Sequence, residues 1–312
     1  MKYINSYTLA AIAALALAGC GSSQSMATLP AGSWAVRQAN QHGKSGGDLM
    51  YLSGLGGKSY VLSYPDGKLV GTIDQTSNGA CSDSSGNVFL PGVGGVSEYA
   101  HGATKPIVTL SLPEPGNGCS VDPTTGNLAV ALIANNGVAV FESASGTATL
   151  YPTENEAYYC GYDNEGNLVV DGFGSSGVWL AELPAGGDSF SNLNLDQPIT
   201  YNPGQVQWDG SYVTVEVGAN IKKPLNTLAI DRLSLSGSVA HVVSQTKFKG
   251  IKNVPEESWI YGNTILVPLG LHGGAPNIGL WAYPKGGRAK NVIKKPAGST
   301  ANFTGVTVSV AP

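Results

Sequence analysis

Short apolar runs separated by turn-forming residues recur along most of the chain. In the clearest copies an aspartate leads through a tight turn into Gly-Asn and a second apolar run, as in residues 79–91, 118–132 and 160–172. The aspartates stand 39 and 41 residues apart, at Asp83, Asp122 and Asp163. β-Branched and aromatic residues flanked by Gly-Asn pairs predict strands joined by hairpins. A repeat of about 40 residues with several strands is typical of one blade of a β-propeller.

The number and closure of the blades follow from counting strands. Six segments match the second strand of a blade, but only five matching inner strands precede the chain's end, at residues 79–83, 118–122, 159–163, 204–208 and 258–261. The missing inner strand is predicted at Phe303–Ser309, which would complete the blade that begins at Leu49. Joining both ends of the chain in one sheet removes exposed edges. We therefore expect an all-β, six-bladed β-propeller over residues 48–312, closed by a C-terminal inner strand.

The N-terminus predicts export and lipid attachment. Lys2 precedes the apolar run Leu9–Ala18, which is shorter than the about 20 residues that a membrane-spanning helix needs. The motif Leu17-Ala18-Gly19-Cys20 then resembles the lipobox of bacterial lipoproteins, which implies a signal peptide at residues 1–19 and lipid on Cys20. Residues 20–47 would be the tether. Gly21 resembles the type destined for the outer membrane, whereas Ala16-Leu17-Ala18 also fits ordinary signal-peptide cleavage.

The repeat resembles NHL-type and gluconolactonase/regucalcin-like six-bladed propellers over about residues 48–310. Aromatic third-strand ends carry much of this resemblance, at Tyr64, Tyr99, Phe141 and Tyr283. The gluconolactonase-like members hold a divalent ion at one mouth of the central channel with Glu, Asn and Asp ligands. The metal ligands of those members cannot be matched one by one in this chain.

The loops that enter the inner strands are the best candidates for a binding site, because the resemblance implies that they converge on one channel mouth. Their carboxylates and amides are Asn78, Glu114, Asn117, Glu154, Glu156, Asn202, Glu256, Glu257 and Asn302. Hard cations such as Ca²⁺ prefer oxygen ligands of these kinds. Three alternatives stay open at this point: a wet polar mouth, a calcium or other divalent-ion or polar-ligand site, and metal-assisted hydrolysis of a lactone or ester.

Three cysteines fall on successive inner strands, at Cys81, Cys119 and Cys160. They could be buried thiols, one disulfide between neighbouring blades, or a reactive or metal-binding set. The predicted export from the cytoplasm favours a disulfide. Because three cysteines is an odd number, at least one thiol has no intramolecular partner. The pairing stays open, and no metal site is assigned to them.

Other reactive side chains lack a catalytic arrangement in the sequence. The histidines, His42, His101, His241 and His272, fall outside the predicted inner strands, so no catalytic residue is assigned. The repeated aspartates are expected to form turns, because an aspartate side chain readily binds the backbone two residues on. Tryptophans are expected to pack between blades. A sugar-stacking surface is the alternative for a set of aromatics near the mouth, Trp208, Trp259, Tyr158, Tyr159 and Tyr201.

Composition narrows the function classes. Charged residues make up 12% of the chain, against about 25% in ordinary soluble proteins. With a net charge of −4, the chain offers little to neutralise phosphates, so nucleic acid is not an expected partner. We expect a monomeric, lipid-anchored binding or scaffold module in the bacterial cell envelope, with an unknown protein, glycan or small-molecule ligand. A lactonase- or esterase-like hydrolase and a glycan-binding surface protein are the alternatives.

Overall fold

The computed structural model describes residues 46–134, 136–175, 177–197, 202–217, 227–251, 257–269, 277–296, 299 and 302–312. Their strands all belong to the compact unit formed by residues 31–312. Nearly all regular structure here is β, apart from one short 3-10 turn at Glu142–Ala144. In this part of the chain, no helix has the length and apolar character needed to cross a bilayer. Cys20 and Glu256 lie outside the described residues.

Four sheets have four antiparallel strands each. Sheet I has the order β25-β1-β2-β3: β1 (Leu49–Gly54), β2 (Ser59–Ser63), β3 (Leu69–Ile73) and β25 (Phe303–Ser309). Sheet II comprises β4 (Cys81–Ser82), β5 (Val88–Gly92), β6 (Gly95–Tyr99) and β7 (Val108–Ser111). Sheet III comprises β8 (Gly116–Val121), β9 (Leu128–Leu132), β10 (Gly137–Phe141) and β11 (Thr149–Pro152). Sheet V comprises β20 (Trp259–Tyr261), β21 (Thr264–Pro268), β22 (Ile278–Ala282) and β24 (Asn291–Ile293).

The remaining nine strands form one sheet, IV, built from two antiparallel meanders. Meander IVa comprises β12 (Glu156–Tyr162), β13 (Leu168–Gly174), β14 (Gly177–Leu183) and β15 (Ser191–Leu195). Meander IVb comprises β16 (Val206–Trp208), β17 (Val213–Val217), β18 (Thr227–Ser236) and β19 (Val239–Lys249), and the short β23 (Gly287–Arg288) also pairs with β19. The structure therefore differs from the expected six separate four-stranded blades. The physical reason is the length of β19, 11 residues, which lets its two ends pair with β15 and β23 in parallel.

The C-terminal strand completes the N-terminal sheet, as the strand count predicts. β25 pairs antiparallel with β1 from Leu49↔Ser309 to Gly54↔Phe303, with one irregularity near the end. β25 is the innermost strand of sheet I. Because it pairs with β1, backbone hydrogen bonds hold the two ends of the propeller together. The predicted closure of the sheet is confirmed.

Apolar side chains fill the spaces between successive meanders. The described residues contain six buried clusters, which join I to II, II to III, III to IVa, IVa to IVb, IVb to V, and V back to I. Central strands are buried on both sides: in β5, Val88 and Leu90 pack toward sheet I while Phe89 packs toward sheet III. Such strands read as continuous apolar runs rather than alternating ones. The result is an all-β, propeller-like arrangement.

The repeated aspartates close the turns between first and second strands. Asp83 Oδ1 accepts the Ser85 and Asn87 N–H groups, at 2.9 and 2.8 Å, and Asp163 binds Glu165 and Asn167 in the same way. Their predicted role as turn formers is confirmed. These turns define the Asp-turn face of the propeller. The opposite face carries the loops that enter the inner strands and the hairpin tips between second and third strands, and we call it the entry face.

Candidate functional site

Two of the predicted mouth residues, Asn78 and Asn117, bind the backbone of the next sheet. Asn78 Nδ2 donates to the Gly116 carbonyl of sheet III at 2.9 Å. Asn117 Nδ2 donates to the Tyr158 carbonyl of meander IVa at the same distance, and Asn117 is buried. Each amide therefore connects the start of one inner strand to the start of the next.

Glu257 is completely buried and also connects separate sheets. The carboxylate comes from the start of sheet V, and its Oε2 accepts the Ala80 N–H of sheet II at 2.8 Å. Glycines make room for this oxygen: a Cβ at Gly79 would lie 2.8 Å from it, and a Cβ at Gly305 of β25 would overlap it. The carboxylate thus crosses the inner strand of sheet I to reach sheet II.

Two further buried acids, which the sequence analysis did not single out, act in the same way on second strands. Asp171 of β13 accepts the Tyr159 N–H on Oδ1 and the Gly204 N–H on Oδ2, both at 3.0 Å. Glu216 of β17 accepts the Ser258 N–H of the neighbouring sheet on Oε2 at 3.0 Å. Both side chains are fully buried. Burial raises the pKa of Asp171 well above its ordinary value, and the nearby Glu216 carboxyl raises it further.

A charged residue within a strand that is buried on both faces is the sequence signal that could have found these acids. Asp171 ends the run Leu168–Asp171, and Glu216 sits in Val213–Val217. Acids are almost never fully buried unless their polar atoms are paired. Their positions therefore indicate a structural partner across the interface.

The remaining predicted mouth residues are more exposed. Glu154 is exposed, and its Oε2 accepts a hydrogen bond from Asn192 Nδ2. Glu156 stands opposite Phe173 across β12 and β13. Asn302 is exposed and uses its backbone carbonyl to accept the Leu55 N–H at 3.1 Å.

Glu114 and Asn202 are partly buried near the starts of sheet III and meander IVb. Across the described stretches of the chain, no three His, Cys, Asp or Glu side chains are grouped so that they could hold one metal ion. The described members of the predicted set lie near the starts of several inner strands.

The cysteines join sheets II and III. Cys81 and Cys119 form a disulfide with a Cα–Cα distance of 5.6 Å, and both side chains are fully buried. Cys160 is a free, buried thiol whose Sγ lies 3.8 Å from the Gly118 carbonyl oxygen. Burial raises the pKa of the Cys160 thiol, which disfavours the thiolate form that nucleophilic attack requires.

Neither described histidine lies on an inner strand, although His101 contacts the end of inner strand β25. His101, in the hairpin between β6 and β7, has Nδ1 2.8 Å from Ser309 Oγ, and partial burial lowers its pKa. His241 lies on outer strand β19, with Nδ1 3.3 Å from Asp196 Oδ2. His42 and His272 lie outside the described residues.

Most of the predicted aromatic set packs between sheets. Trp208 and Tyr158 are partly buried against the IVa–IVb cluster. Trp259 packs against two clusters, the one between sheets V and I and the one between sheets II and III. Tyr159 is 2% exposed. Tyr201 lies outside the described residues. These positions support the expected packing role, and Tyr158 additionally meets the exposed Phe173 edge to face at 5.0 Å.

Sequence comparisons give no relative: no protein-family model and no curated protein matches the chain. The structure, in contrast, resembles solved proteins. A protein of unknown function from Bacteroides caccae matches with a TM-score of 0.64 and 13% identity, over 84% of this chain and 99% of the other. A chain of the nidogen/laminin complex matches with a TM-score of 0.64 and 10% identity, over 85% of this chain and 99% of the other.

Hydrazine synthase of Kuenenia stuttgartiensis matches with a TM-score of 0.52 and 13% identity, over 73% of this chain and 71% of the other. The first two of these structures are β-propellers. At such identities the likeness shows the fold alone. It confirms the propeller, while the kinship with NHL-type or gluconolactonase-like proteins stays a prediction.

Proposed function

We propose that the chain is a lipid-anchored, extracytoplasmic six-bladed β-propeller that serves as a binding or scaffold module. In this interpretation IVa and IVb count as two blades. They have separate inner strands, β12 and β16, and are joined through the two residue pairs Asn194↔Val239 and Leu195↔Ala240 at their outer strands. The six apolar clusters between successive meanders support the same count.

The observation that carries the proposal is that buried and partly buried polar side chains near the inner strands bind backbone groups of the protein. Five side chains bind backbone of another sheet or meander, namely those of Asn78, Asn117, Asp171, Glu216 and Glu257. Buried polar groups that are fixed in this way make a rigid frame. A rigid frame that presents exposed loops is the common construction of a binding module.

The lipobox at Leu17–Cys20 and the Cys81–Cys119 disulfide support a location outside the cytoplasm, because disulfides persist in oxidising compartments. The chain enters the propeller on the Asp-turn face: Leu49 pairs with Ser309, whose Oγ donates to the Gly86 carbonyl in the β4–β5 turn. We propose that the tether attaches on this face.

The entry face would then be available to a partner. Its hairpin tips expose apolar side chains, with Leu55, Val93 and Phe173 at 46%, 85% and 42% exposure. A contiguous exposed apolar patch often marks an interaction site, and we propose that these hairpin tips contribute to one. In the nidogen/laminin complex a chain of similar fold takes part in a protein complex, which is the kind of role that we propose here.

Two measurements test the proposal. Metabolic labelling with a fatty acid should label the wild-type chain and leave Cys20→Ala unlabelled and outside the membrane fraction. Photo-crosslinking in cells should give specific products from a probe at Val93 on the entry face and few from a probe at Thr125 on the Asp-turn face. Equal labelling of both chains would contradict the anchor, and an absence of specific crosslinks from the Val93 probe would contradict the binding role.

A further inference from the structure

Three aromatic side chains lie along the outer part of the interface between sheet III and meander IVa. Tyr151, Trp179 and Phe190 pack against the buried III–IVa cluster, and each keeps part of its surface exposed. Tyr151 lies on outer strand β11, Trp179 on β14, and Phe190 just before outer strand β15. We call the surface that these three residues line the III–IVa groove.

The next two interfaces along the chain, IVa–IVb and IVb–V, are closed by pairing of outer strands where this groove is open. Between IVa and IVb the outer strands β15 and β19 pair directly, and between IVb and V the same strand pairs with β23. In the described residues, β11 pairs only with β10 of its own sheet. The aromatic rings between β11 and β15 are therefore accessible from the side of the propeller.

The indole of Trp179 is held in one orientation by a chain of surface hydrogen bonds. Its Nε1–H donates to Asn192 Oδ1 at 2.8 Å, and Asn192 Nδ2 in turn donates to Glu154 Oε2. Asn192 on β15 stands opposite Ala181 on β14, and Ala181 is two residues from Trp179. The side chains of Asn192 and Trp179 therefore lie on the same face of the meander, the face that meets sheet III. A partly exposed ring that is fixed in advance loses little conformational entropy when a ligand covers it.

Tyr151 extends the same surface from the other side of the groove. It stands opposite Val138 on β10, and Val138 belongs to the buried III–IVa cluster. Because side chains of paired residues share one face of a sheet, the Tyr151 ring points toward meander IVa. Aromatic rings therefore line both walls of the groove, with the exposed carboxylate of Glu154 near one end.

We infer that the III–IVa groove binds a neutral saccharide chain, with pyranose rings stacked on Trp179 and Tyr151 and their hydroxyls bound by Glu154 and Asn192. A pyranose presents an apolar C–H face bordered by hydroxyl groups. The electron-rich face of an aromatic ring attracts the C–H face, while carboxylate and amide groups accept and donate hydroxyl hydrogen bonds. This inference rests on the proposed binding role and names the chemical class of one ligand.

The test uses the purified full-length chain in mild detergent. Affinity electrophoresis in gels that contain soluble glucan, xylan, mannan or a soluble chitin derivative screens for retardation, and titration with the matching hexasaccharide gives the affinity. We expect retardation by at least one polysaccharide. Trp179→Ala should weaken binding by about tenfold or more, the scale of an aromatic contact.

Three further variants distinguish a site from a loss of folding. Asn192→Ala should weaken binding several-fold with an unchanged melting temperature, because it removes a surface hydrogen bond of the half-buried indole without removing a core contact. Tyr151→Ala should weaken binding, and Trp208→Phe, in the IVa–IVb interface, should leave it unchanged. Absence of retardation on every polysaccharide, or equal retardation of Trp179→Ala and the wild type, would overturn the inference. Crosslinks from Val93 would in that case still support the binding role.

Discussion

Sheets I to III are joined to one another near their inner strands, whereas IVa, IVb and V are also joined at their outer strands. Ser82 Oγ lies 2.9 Å from Thr307 Oγ1 between I and II, and the Cys81–Cys119 disulfide joins II to III. Between IVa, IVb and V, backbone pairing of β15, β19 and β23 is added to the inner contacts of Asp171 and Glu216.

The difference traces to strand length. The outer strands β3, β7 and β11 have 5, 4 and 4 residues, whereas β19 has 11. A short outer strand ends within its own sheet, so the interface depends on packing and on side chains at the centre. A long outer strand can offer backbone N–H and C=O groups to both neighbours. The sheets of the molecule are thus joined in two different ways. Substitutions in the two regions should therefore lower the free energy of unfolding by different amounts.

The largest effect is expected from loss of the strand that both regions need. Removing residues 303–312 deletes Phe303, Val306 and Val308 from the I–V cluster together with the pairing to β1. Each buried apolar side chain contributes about 1.5–3 kcal/mol, so the sum is comparable to the about 5–15 kcal/mol that stabilises a typical protein. We expect an insoluble or unfolded chain by solubility and circular dichroism. Removal of residues 311–312 alone is the control, and a fully soluble long truncation with an unchanged melting temperature would disprove the closure.

Loss of the disulfide should destabilise the first region strongly. It closes a loop with a sequence separation of 38 residues, for which the loss is about 2–4 kcal/mol. Denaturant unfolding of the Cys81→Ala/Cys119→Ala chain should show this loss, and Cys160→Ala should show a much smaller one. If the double variant were as stable as Cys160→Ala, the II–III interface would not depend on the bridge.

Asp171→Asn tests the inner contact in the second region. The raised pKa of Asp171 lies above the unfolded value of about 3.9, so the carboxyl's stabilising contribution is fully present below about pH 4 and is lost as the pH rises through the folded pKa. Asparagine stays neutral, but its NH₂ group takes the place of one carboxylate oxygen that accepts a backbone N–H. This loss should lower the free energy of unfolding by about 1–3 kcal/mol. Urea unfolding should show the largest deficit of the variant at pH 4 and a smaller one at pH 8. A deficit that widens with pH would contradict the assigned direction.

The pairing of outer strands β15 and β19 should contribute less to the free energy of unfolding than the inner contact of Asp171. Asn194 N–H donates to the Ser238 carbonyl at 2.8 Å across the joint between β15 and β19. Asn194→Pro removes this donor and should lower the free energy of unfolding by about 1–2 kcal/mol. Asn194→Ala keeps the backbone N–H at an exposed position and should be close to neutral. Equal stability of the two variants would show that the joint carries little energy.

The strands and the closure could be predicted from sequence because each central strand is buried on both faces. β9 and β21 coincide with two of the six segments that match a second strand, because Leu128–Leu132 and Thr264–Pro268 are bounded runs of apolar residues. Outer strands are harder: in β15 only Leu193 is buried, so Ser191–Leu195 gives no apolar run. Pairing of β19 with two neighbours depends on the distance between sheets, which no local pattern encodes.

The candidate site was predicted by position more than by role. Asn78 and Asn117 were correctly placed where inner strands begin, but a residue type does not reveal whether an amide meets solvent or a neighbouring carbonyl. That outcome depends on how closely consecutive inner strands approach. Asp171 lies on a central strand rather than in an entry loop, so the pattern of the loops does not point to it. Its position, at the end of an apolar run, was the available signal.

The central claim is that polar groups at the inner strands join sheets rather than hold an ion, and Asn117→Ala tests it most directly. The free energy of unfolding should be measured with and without millimolar calcium for the wild type, for Asn117→Ala, and for Asn302→Ala as an exposed control from the same predicted set. We predict that Asn117→Ala lowers it by about 1–2 kcal/mol through loss of the bond to the Tyr158 carbonyl, equally with and without calcium. Stabilisation of the wild type by calcium that disappears in Asn117→Ala would contradict the account.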